Sequence, residues 1–530
     1  MGLNKLDLVI ILVYLVGITI FGLQFRKKQR SLRDYFLADK NIPWWAISLS
    51  IVAAETSTLT IISIPGLAYD TNFGFLQVVI GYIVGRFVIS FLLIPHYFKG
   101  DLMTAYQLIE TRFGKSLRSL TAGLFLITRA AAEGVRVFAV AIVVRIAIAP
   151  LLQAYGMSDF SQDLAAIGIV SLLTLIYTFE GGMAAVIWTD VVQMFIYVAG
   201  TLVGFFTILH AVPGGFGTIA QMAGEAGKFR IFHFDAPLTS TYSFWAGLIG
   251  GTFLTTASHG TDQLIVQRLL AAKTQAQSKL ALLSSGAFVL VQFTLFLGVG
   301  AMLYVFYNLF PPAVAFDKTD RIFPTFIVTQ MPHGISGLLI AAILAAAMSN
   351  LSAALNSLAS TTIVDFYARI RPQSSEERRV FLSRFATIGW GVVLFALAIL
   401  SRRGGKVVEV GLSIASVAYG ALLGVFLLGV LTKKANQRGA MVGMTVGFFL
   451  NLYMWQAKNI LGWAANAAPS LHAILSTVPL EKVPWTWYVL IGSCVTFLVG
   501  YIASAFFKGE DESAGSHTQE QEQQPAGTRA

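Results

Sequence analysis

The residues of this chain best suited to bind an ion or a solute interrupt an apolar stretch at 48–69, SLSIVAAETSTLTIISIPGLAY. Glu55 and three hydroxyl residues at 56–58 lie in its middle, and a Pro-Gly pair follows at 65–66. Unpaired polar groups are costly in hydrocarbon, so these residues need protein or water around them. The pattern predicts a broken helix that lines a binding site. The alternative is a proline-kinked packing helix whose hydroxyls bond to their own backbone carbonyls.

A second group of small polar side chains lies in residues 345–362, AAAMSNLSAALNSLASTT. Ala346, Ser349 and Asn350 stand at i, i+3 and i+4, and Ser352 begins a further series at helical spacing. Such a helix face suits a tight helix–helix contact, where small residues are favoured. It equally suits half of a cation site, because hard cations prefer oxygen ligands and a broken helix frees carbonyl oxygens.

Residues 245–263 carry a similar pattern, with glycines at 247, 250 and 251 before the polar run TTASHG at 255–260. We expect a second interrupted membrane helix here. The GxxxG spacing of Gly247 and Gly251 offers another interpretation, close helix packing. His259 lies in the polar run, where a hydrogen-bonding or packing role competes with proton coupling.

Ionisable residues also occur in apolar surroundings. Arg129, Glu133 and Arg136 stand within eight positions, and the first two are spaced to form an i,i+4 ion pair. This cluster faces either a membrane interface or a central cavity. Asp190 lies at the start of a helix that follows a predicted break at 181–182. An acid in this position interacts favourably with the helix dipole or binds an ion.

These groups must be positioned by membrane helices. The chain has 530 residues, 56% of them hydrophobic and 12% charged, and a mean hydropathy of +0.70. This composition predicts a polytopic membrane protein, an all-α fold. The net charge of +10 is explained by loop charges that orient helices, so nucleic-acid binding has no support. A single cysteine, Cys494, excludes an intrachain disulfide and a cysteine-based metal cluster.

Apolar segments of sufficient length predict about thirteen transmembrane spans in one domain at 1–507, followed by a disordered cytoplasmic tail at 508–530. The first span is a retained helix rather than a signal peptide. Lys and Arg are concentrated in alternate connections, which places the N-terminus outside and the C-terminus in the cytoplasm of a plasma or inner membrane. The predicted spans are 4–24, 43–68, 73–97, 119–148, 160–178, 186–210, 241–264, 280–308, 335–364, 381–401, 408–431, 438–456 and 486–507.

The two polar interruptions are five spans apart. This spacing suggests duplicated five-helix halves, about 43–210 and 241–431. An odd number of helices per repeat forces opposite membrane orientations, so the halves are predicted to form an inverted repeat.

From about Leu8 to Phe507 the chain resembles the sodium:solute symporter family, whose members carry sugars, proline, sialic acid, iodide or vitamins. The resemblance is carried by AAETSTLTIISIPGLAY, GGMAAVIWTDVVQ at 181–193, DQLIVQRLLAAK at 262–273 and GLLIAAILAAAMSNLSAALNSLASTTIVDFY at 337–367. It implies a LeuT-type 5+5 inverted repeat with three extra helices, alternating access, and Na⁺ as the coupling ion.

The resemblance also implies roles for particular residues. The family's central Na⁺ site corresponds to the carbonyl oxygens of Ala53, Thr56 and Ala346 and the side-chain oxygens of Ser349 and Asn350. Relatives usually have Ser or Thr at the last of these positions. A second Na⁺ or coupling site in some relatives corresponds to Asp190 and Ser352, although this chain has Ala353 in place of a further serine. Glu55 stands where proline carriers have an aspartate, which implies a role in ion coupling.

Solute contacts of relatives correspond to Glu55, Ser57, Thr60, Phe75, Thr255, Ser258 and His259. Thr60 and Val289 occupy positions where a galactose carrier has polar ligands, so a copy of that sugar site is not expected. The motifs are most similar to those of sialic-acid carriers, in which an arginine meets the substrate carboxylate. Arg136 corresponds to that residue, with Arg129 as the alternative.

The resulting hypothesis is a symporter that couples Na⁺ entry to import of a small polar organic solute, such as an acid sugar, carboxylate, sugar or amino acid. Its partners would be the solute, Na⁺ and the lipid bilayer. A solute-sensing receptor and a proton-coupled transporter are the alternatives. An enzyme is not expected, since the chain has no G-x-S-x-G, P-loop or Cys/His metal spacing.

Overall fold

The structure, a computed structural model, describes residues 3–24, 37–99, 102, 105–177, 183–312, 315–402, 405–467, 470, 472–473, 476–477 and 479–507. Within these ranges the fold is helical without β-strands, and an isolated bridge pairs Ile42 with Ala272. The predicted break at 181–182 and the predicted tail at 508–530 lie outside the described residues.

Most of the described chain forms helices of eight or more residues. These are α1 (Lys5–Gln24), α2 (Trp44–Glu55), α3 (Thr58–Asp70), α4 (Leu76–Leu92), α5 (Ala105–Phe113), α6 (Lys115–Ala147), α7 (Asp159–Tyr177), α8 (Met183–Ala211), α9 (Gly215–Glu225), α10 (Gly251–Gly260), α11 (Gln263–Leu270), α12 (Gln275–Leu309), α13 (Ile322–Gln330), α14 (Ile335–Thr361), α15 (Glu376–Ser401), α16 (Val407–Leu431), α17 (Gln437–Ala467) and α18 (Tyr488–Phe506).

By length and apolar composition, seven of the described helices can cross a membrane, or eight when α2 and α3 count as one bent span. The prediction of a helical membrane protein is confirmed, whereas these criteria do not establish thirteen spans. Helix α17 is longer than its predicted span of 438–456 and continues to Ala467. Its extension includes Ala, Lys and Leu, which are good helix formers.

The predicted break in the second span is present. Helices α2 and α3 meet at an angle of 63°. Thr56 and Ser57 leave the helical conformation, with ψ angles of 65° and 172°. Pro65 lies inside α3 rather than at the break, one turn before α3 ends at Asp70. The hydroxyl-rich residues, and not the Pro-Gly pair, therefore mark the point where the backbone opens.

The predicted interruption at 247–260 is present only in part, because the polar run at 255–260 is helical and the irregular backbone lies on either side of α10. A π-helical segment, Ala246–Gly250, runs directly into α10, and the chain leaves the helix only at Thr261. Asp262 then caps α11 by accepting a hydrogen bond from Leu264 N at 2.9 Å. A side chain at Gly251 would collide with Val78 O of α4. The glycines of this segment therefore serve close helix packing, the alternative interpretation.

Helix α14 lies at the centre of the bundle and is buried along most of its length. It packs against α1, α3, α6, α7, α8 and α15. Asp7 of α1 fixes its N-terminal end by accepting hydrogen bonds from Gly334 N at 2.6 Å and Gly337 N at 3.2 Å. The helix that carries the predicted Na⁺ ligands is thus held on all sides.

Candidate functional site

The break between α2 and α3 leaves backbone oxygens free. Among the described residues, the carbonyls of Ala53 and Thr56 accept no backbone hydrogen bond, because the chain turns away before Ser57 can complete the helical pattern. Thr56 is fully buried, and its hydroxyl donates to Gln292 Oε1 of α12 at 2.8 Å. Unpaired carbonyls in a buried setting are the oxygen donors that an alkali cation needs.

The α14 residues predicted to complete the Na⁺ site are close to solvent-inaccessible. Ala346 and Ser349 are buried, at 6% and 7% exposure. Asn350 borders the same cavity as Ala54 and Ser57 of the break. The structure therefore brings α14 and the broken helix to one location. The hydroxyl of Ser352 is buried and has no hydrogen-bond partner among the described residues.

A cavity of about 190 Å³ lies beside the break, between α2, α3, α6, α10, α11 and α16. Seven of the eight predicted solute contacts line it, namely Glu55, Ser57, Thr60, Arg136, Thr255, Ser258 and His259. Arg129 lines it as well. The cavity thus combines apolar walls with a few convergent polar groups, as small-molecule sites do.

Phe75 is the predicted solute contact that the structure does not bring to the cavity. Its ring stacks on Phe293, with centroids 5.5 Å apart and planes 6° from parallel, and lies 5.9 Å from the Tyr242 ring. Tyr242 in turn donates a hydrogen bond to Glu409 at 2.7 Å. Val408, next to Glu409 in α16, lines the cavity, so this aromatic group is connected to the cavity wall through α16.

Glu55 lies at the end of α2 and takes part in a buried ion cluster. Its Oε2 accepts a hydrogen bond from Arg86 Nη2 at 2.5 Å and lies 3.5 Å from His259 Nε2. Arg86 is fully buried and also donates to Ser285 Oγ at 3.0 Å and to Tyr82 O at 3.2 Å. The charge that Glu55 brings into the membrane is therefore compensated by the protein.

A second ion cluster lies on α6 and faces the cavity, which decides between the two sequence-based interpretations. Glu133 Oε1 lies 2.9 Å from Arg129 Nη2, so the predicted i,i+4 pair is present, and 2.7 Å from Arg136 Nη1. Arg129 also lies 3.9 Å from Asp262, which accepts a hydrogen bond from Tyr419 at 2.9 Å. Two arginines thus share one oxygen of Glu133, and Arg136 is the more exposed, at 28%.

Asp190 is placed in a third buried cluster. Its Oδ2 accepts hydrogen bonds from Ser50 Oγ at 2.6 Å and from Arg268 Nη2 at 3.0 Å, and Arg268 Nε donates to Ser50 Oγ at 2.9 Å. No described hydrogen bond or ion pair joins Asp190 to Ser352 or to Glu55. The carboxylate predicted for a second Na⁺ site is therefore neutralised by an internal cation.

Several cavity residues were absent from the sequence-based prediction. These are Tyr82, Tyr106, Asp262, Arg268 and Tyr419. Asp262 and Arg268 belong to the motif DQLIVQRLLAAK, which carried the family resemblance without a role for its residues. The tyrosines had no local signal, because a single tyrosine in a helix carries no motif and only the packing shows that it reaches the cavity.

Comparisons with known proteins agree with this geometry. The family model described as the sodium:solute symporter family matches residues 35–447. The chain is 30% identical over 514 residues to the sodium/sialic acid symporter SiaT of Proteus mirabilis, covering 93% of this chain and 94% of the relative. It is 28% identical over 473 residues to the mouse sodium-coupled monocarboxylate transporter 2, covering 87% and 73%.

The fold is also similar to a solved structure, that of a Na⁺-coupled sialic acid symporter in a substrate-bound, outward-open state. The TM-score is 0.74 at 28% identity, and the match covers 95% of this chain and 98% of the other. The predicted family and Na⁺ as its ion are confirmed. The chain belongs to the sodium:solute symporter family.

Proposed function

We propose that this protein uses the Na⁺ gradient to import a small organic solute that carries a carboxylate. The observation that carries the proposal is that the break between α2 and α3, Asn350 of α14 and the arginines of α6 border one cavity. Ion ligands and a solute site in contact allow binding of one to favour binding of the other. A symporter, rather than an enzyme, fits this arrangement.

For the ion, we propose that Na⁺ is held by the carbonyls of Ala53, Thr56 and Ala346 and by Ser349 and Asn350. The free carbonyls at the break support this assignment, as does the burial of Ser349. Asn350 supplies an amide oxygen where relatives have a hydroxyl. Sodium can stabilise one state of the transporter only if it binds that state more tightly. A site shared by the helix break and α14 provides such a difference in Na⁺ affinity, because the site is lost when the break and α14 separate.

For the solute, we propose Arg136 as the partner of the carboxylate. Arg129 is already held between Glu133 and Asp262, whereas among the described residues Arg136 pairs only with the shared Glu133 oxygen and is partly exposed, on the cavity wall. An incoming carboxylate can accept two parallel hydrogen bonds from a guanidinium. The relatives named for sialic acid and for monocarboxylates act on carboxylates, which supports the same class. The polar groups at Ser57, Thr60, Thr255, Ser258 and His259 would contact the rest of the solute.

The second Na⁺ site at Asp190 and Ser352 requires an additional step. Arg268 forms an ion pair with the Asp190 carboxylate in this structure. Na⁺ can therefore bind Asp190 only when Arg268 moves away. Glu55 is subject to the same argument, because Arg86 and His259 compensate its charge. We therefore propose a single Na⁺ site at the break as the one that drives transport, with Asp190 and Glu55 in supporting ion pairs.

The proposed topology follows the sequence. It has thirteen spans within residues 1–507, an inverted repeat of about 43–210 and 241–431, an external N-terminus and a cytoplasmic tail. In this orientation the group of Phe75, Tyr242 and Glu409 closes the outer end of the cavity, and Tyr106 and Arg268 border its cytoplasmic end. The structure would then correspond to a state closed toward the outside, and alternating access would require this group to open.

The proposal is tested by uptake into proteoliposomes that contain the purified protein. The panel consists of sialic acid, lactate, galactose and proline, each with an inward gradient of Na⁺, K⁺ or H⁺. We expect accumulation of at least one carboxylate sugar or monocarboxylate under the Na⁺ gradient alone. Accumulation driven by H⁺ would favour a proton-coupled transporter, and absence of Na⁺-driven accumulation for the whole panel would contradict the proposal.

A further inference from the structure

A second cavity, of about 240 Å³, lies away from the candidate site, between α5 and the last turns of α16. Apolar side chains of both helices form its walls. Arg112 and His96 supply its two ionisable groups.

Arg112 is fixed at the rim of this cavity. Its Nη2 donates to the carbonyls of Thr432 and Ala435, at 3.2 and 2.9 Å, and its guanidinium lies 4.8 Å from the Phe113 ring centroid. Neither bond uses Nε or Nη1. The side chain is therefore held by backbone oxygens while two of its nitrogens stay available for an anion, and a guanidinium suits phosphate oxygens.

His96 lines the same cavity. Its Nδ1 lies 2.8 Å from Leu92 O, a carbonyl that can only accept, so Nδ1 carries the hydrogen. Its Nε2 takes no part in that bond. Its Nε2 is then an acceptor, so His96 can take a hydrogen bond from a hydroxyl of a ligand whose anionic group binds Arg112.

The surroundings place this cavity at a boundary between apolar and charged surface. Phe91 of α4 and Leu431 of α16 are exposed, at 72% and 56%. Lys99, Lys433 and Lys434 are exposed directly beyond these helices. Phospholipids offer this combination of an anionic headgroup and apolar tails at the cytoplasmic surface.

We propose that this cavity binds the phosphate group of an anionic phospholipid, with the lipid tails along Phe91 and Leu431. Arg112 holds the phosphate, His96 Nε2 accepts a hydrogen bond from a headgroup hydroxyl, and the neighbouring lysines add long-range attraction. The leaflet assignment rests on the proposed topology, in which this surface is cytoplasmic. Lipid binding itself depends neither on Na⁺ nor on solute.

The test measures thermal unfolding of the purified full-length protein, without Na⁺ or solute, after addition of phosphatidylglycerol, phosphatidylcholine or inorganic phosphate. We expect phosphatidylglycerol to raise the unfolding midpoint of the wild type, and phosphatidylcholine to have a much smaller effect. Arg112→Gln and His96→Ala should each lose at least half of the shift. Arg118→Gln is the matched control, because Arg118 is paired with Glu110 outside the cavity.

Equal shifts in the wild type and both cavity variants, or equal shifts with the two lipids, would overturn the proposal. If inorganic phosphate alone reproduces the shift and the variants abolish it, the lipid assignment is overturned and a phosphate site replaces it. Should Arg112→Gln fail to fold because it loses its carbonyl contacts, His96→Ala decides. None of these outcomes depends on transport, so failure here is distinct from failure of the uptake test.

Discussion

The carboxylate of Glu55 accepts a hydrogen bond at 2.5 Å from the guanidinium of Arg86, which is fully buried in α4. This pair connects the end of the broken helix to its neighbour, with His259 of α10 3.5 Å away. The correspondence of Glu55 to an aspartate of proline carriers implied a role in ion coupling. Its geometry instead supports a role in holding the break in place.

Arg86→Met tests this role. Removing one member of a buried ion pair leaves the other charge uncompensated, which typically costs about 3–5 kcal/mol. We expect a lower thermal unfolding midpoint for Arg86→Met and a partial recovery in the double variant Glu55→Gln/Arg86→Met. Equal midpoints for the wild type and Arg86→Met would show that the pair does not stabilise the break.

Substitutions of Arg136 and Arg129 provide a matched test of the solute site. Arg136→Gln should weaken uptake of the transported carboxylate by about tenfold or more, about 1.4 kcal/mol, while the protein stays folded. Arg129→Gln should mainly lower stability, because it leaves Glu133 and Asp262 with less compensation. The measurements are half-saturation of uptake and the unfolding midpoint. An unchanged half-saturation in Arg136→Gln would exclude it as the carboxylate partner.

Asp190→Asn separates a structural role from a second ion site. With Arg268 as its partner, Asp190 should contribute to stability, and the substitution should lower the unfolding midpoint. The Na⁺ concentration for half-maximal uptake should change by less than about twofold. A large increase in that concentration, or a change in the cooperativity of Na⁺ activation, would instead support a second Na⁺ at Asp190.

Gly81→Ala tests the close contact between α4 and the segment that leads into α10. A Cβ at Gly81 would lie 2.5 Å from Leu248 O and 2.6 Å from Gly247 O. Overpacking of this kind costs about 1–3 kcal/mol. Gly298→Ala is the control, because nothing lies within 4 Å of its Cβ position. Equal unfolding midpoints for the two variants would contradict the described packing.

Local patterns in the sequence predicted the features that depend on residues close together in the sequence. The family, the helical membrane fold, the break at 56–57 and the Arg129–Glu133 pair follow from motifs, hydropathy and helical spacing. The polar run at 255–260 was predicted to interrupt its helix but is helical, because polar residues and glycines occur equally in a closely packed helix. A broken helix and a closely packed helix share this local pattern, and only the close contact with α4 distinguishes them.

Pairs between distant residues could not be predicted. Arg268 is 78 positions from Asp190, and Arg86 is 31 positions from Glu55. Such pairs depend on how the helices pack, which one sequence does not specify directly. Phe75 was assigned to the solute site by resemblance, and its stacking on Phe293 of α12 is a contact between residues far apart in the sequence.

The central claim is that the broken helix and α14 together hold the Na⁺ that drives transport. The most direct test is the Na⁺ concentration that half-maximally raises the unfolding midpoint of the purified protein, with choline as the replacement ion. We predict that Ser349→Ala raises this concentration by about tenfold, about 1.4 kcal/mol of binding free energy. Ser360→Ala, at an exposed position of the same helix, should match the wild type. The same Na⁺ dependence in Ser349→Ala and the wild type would contradict the account.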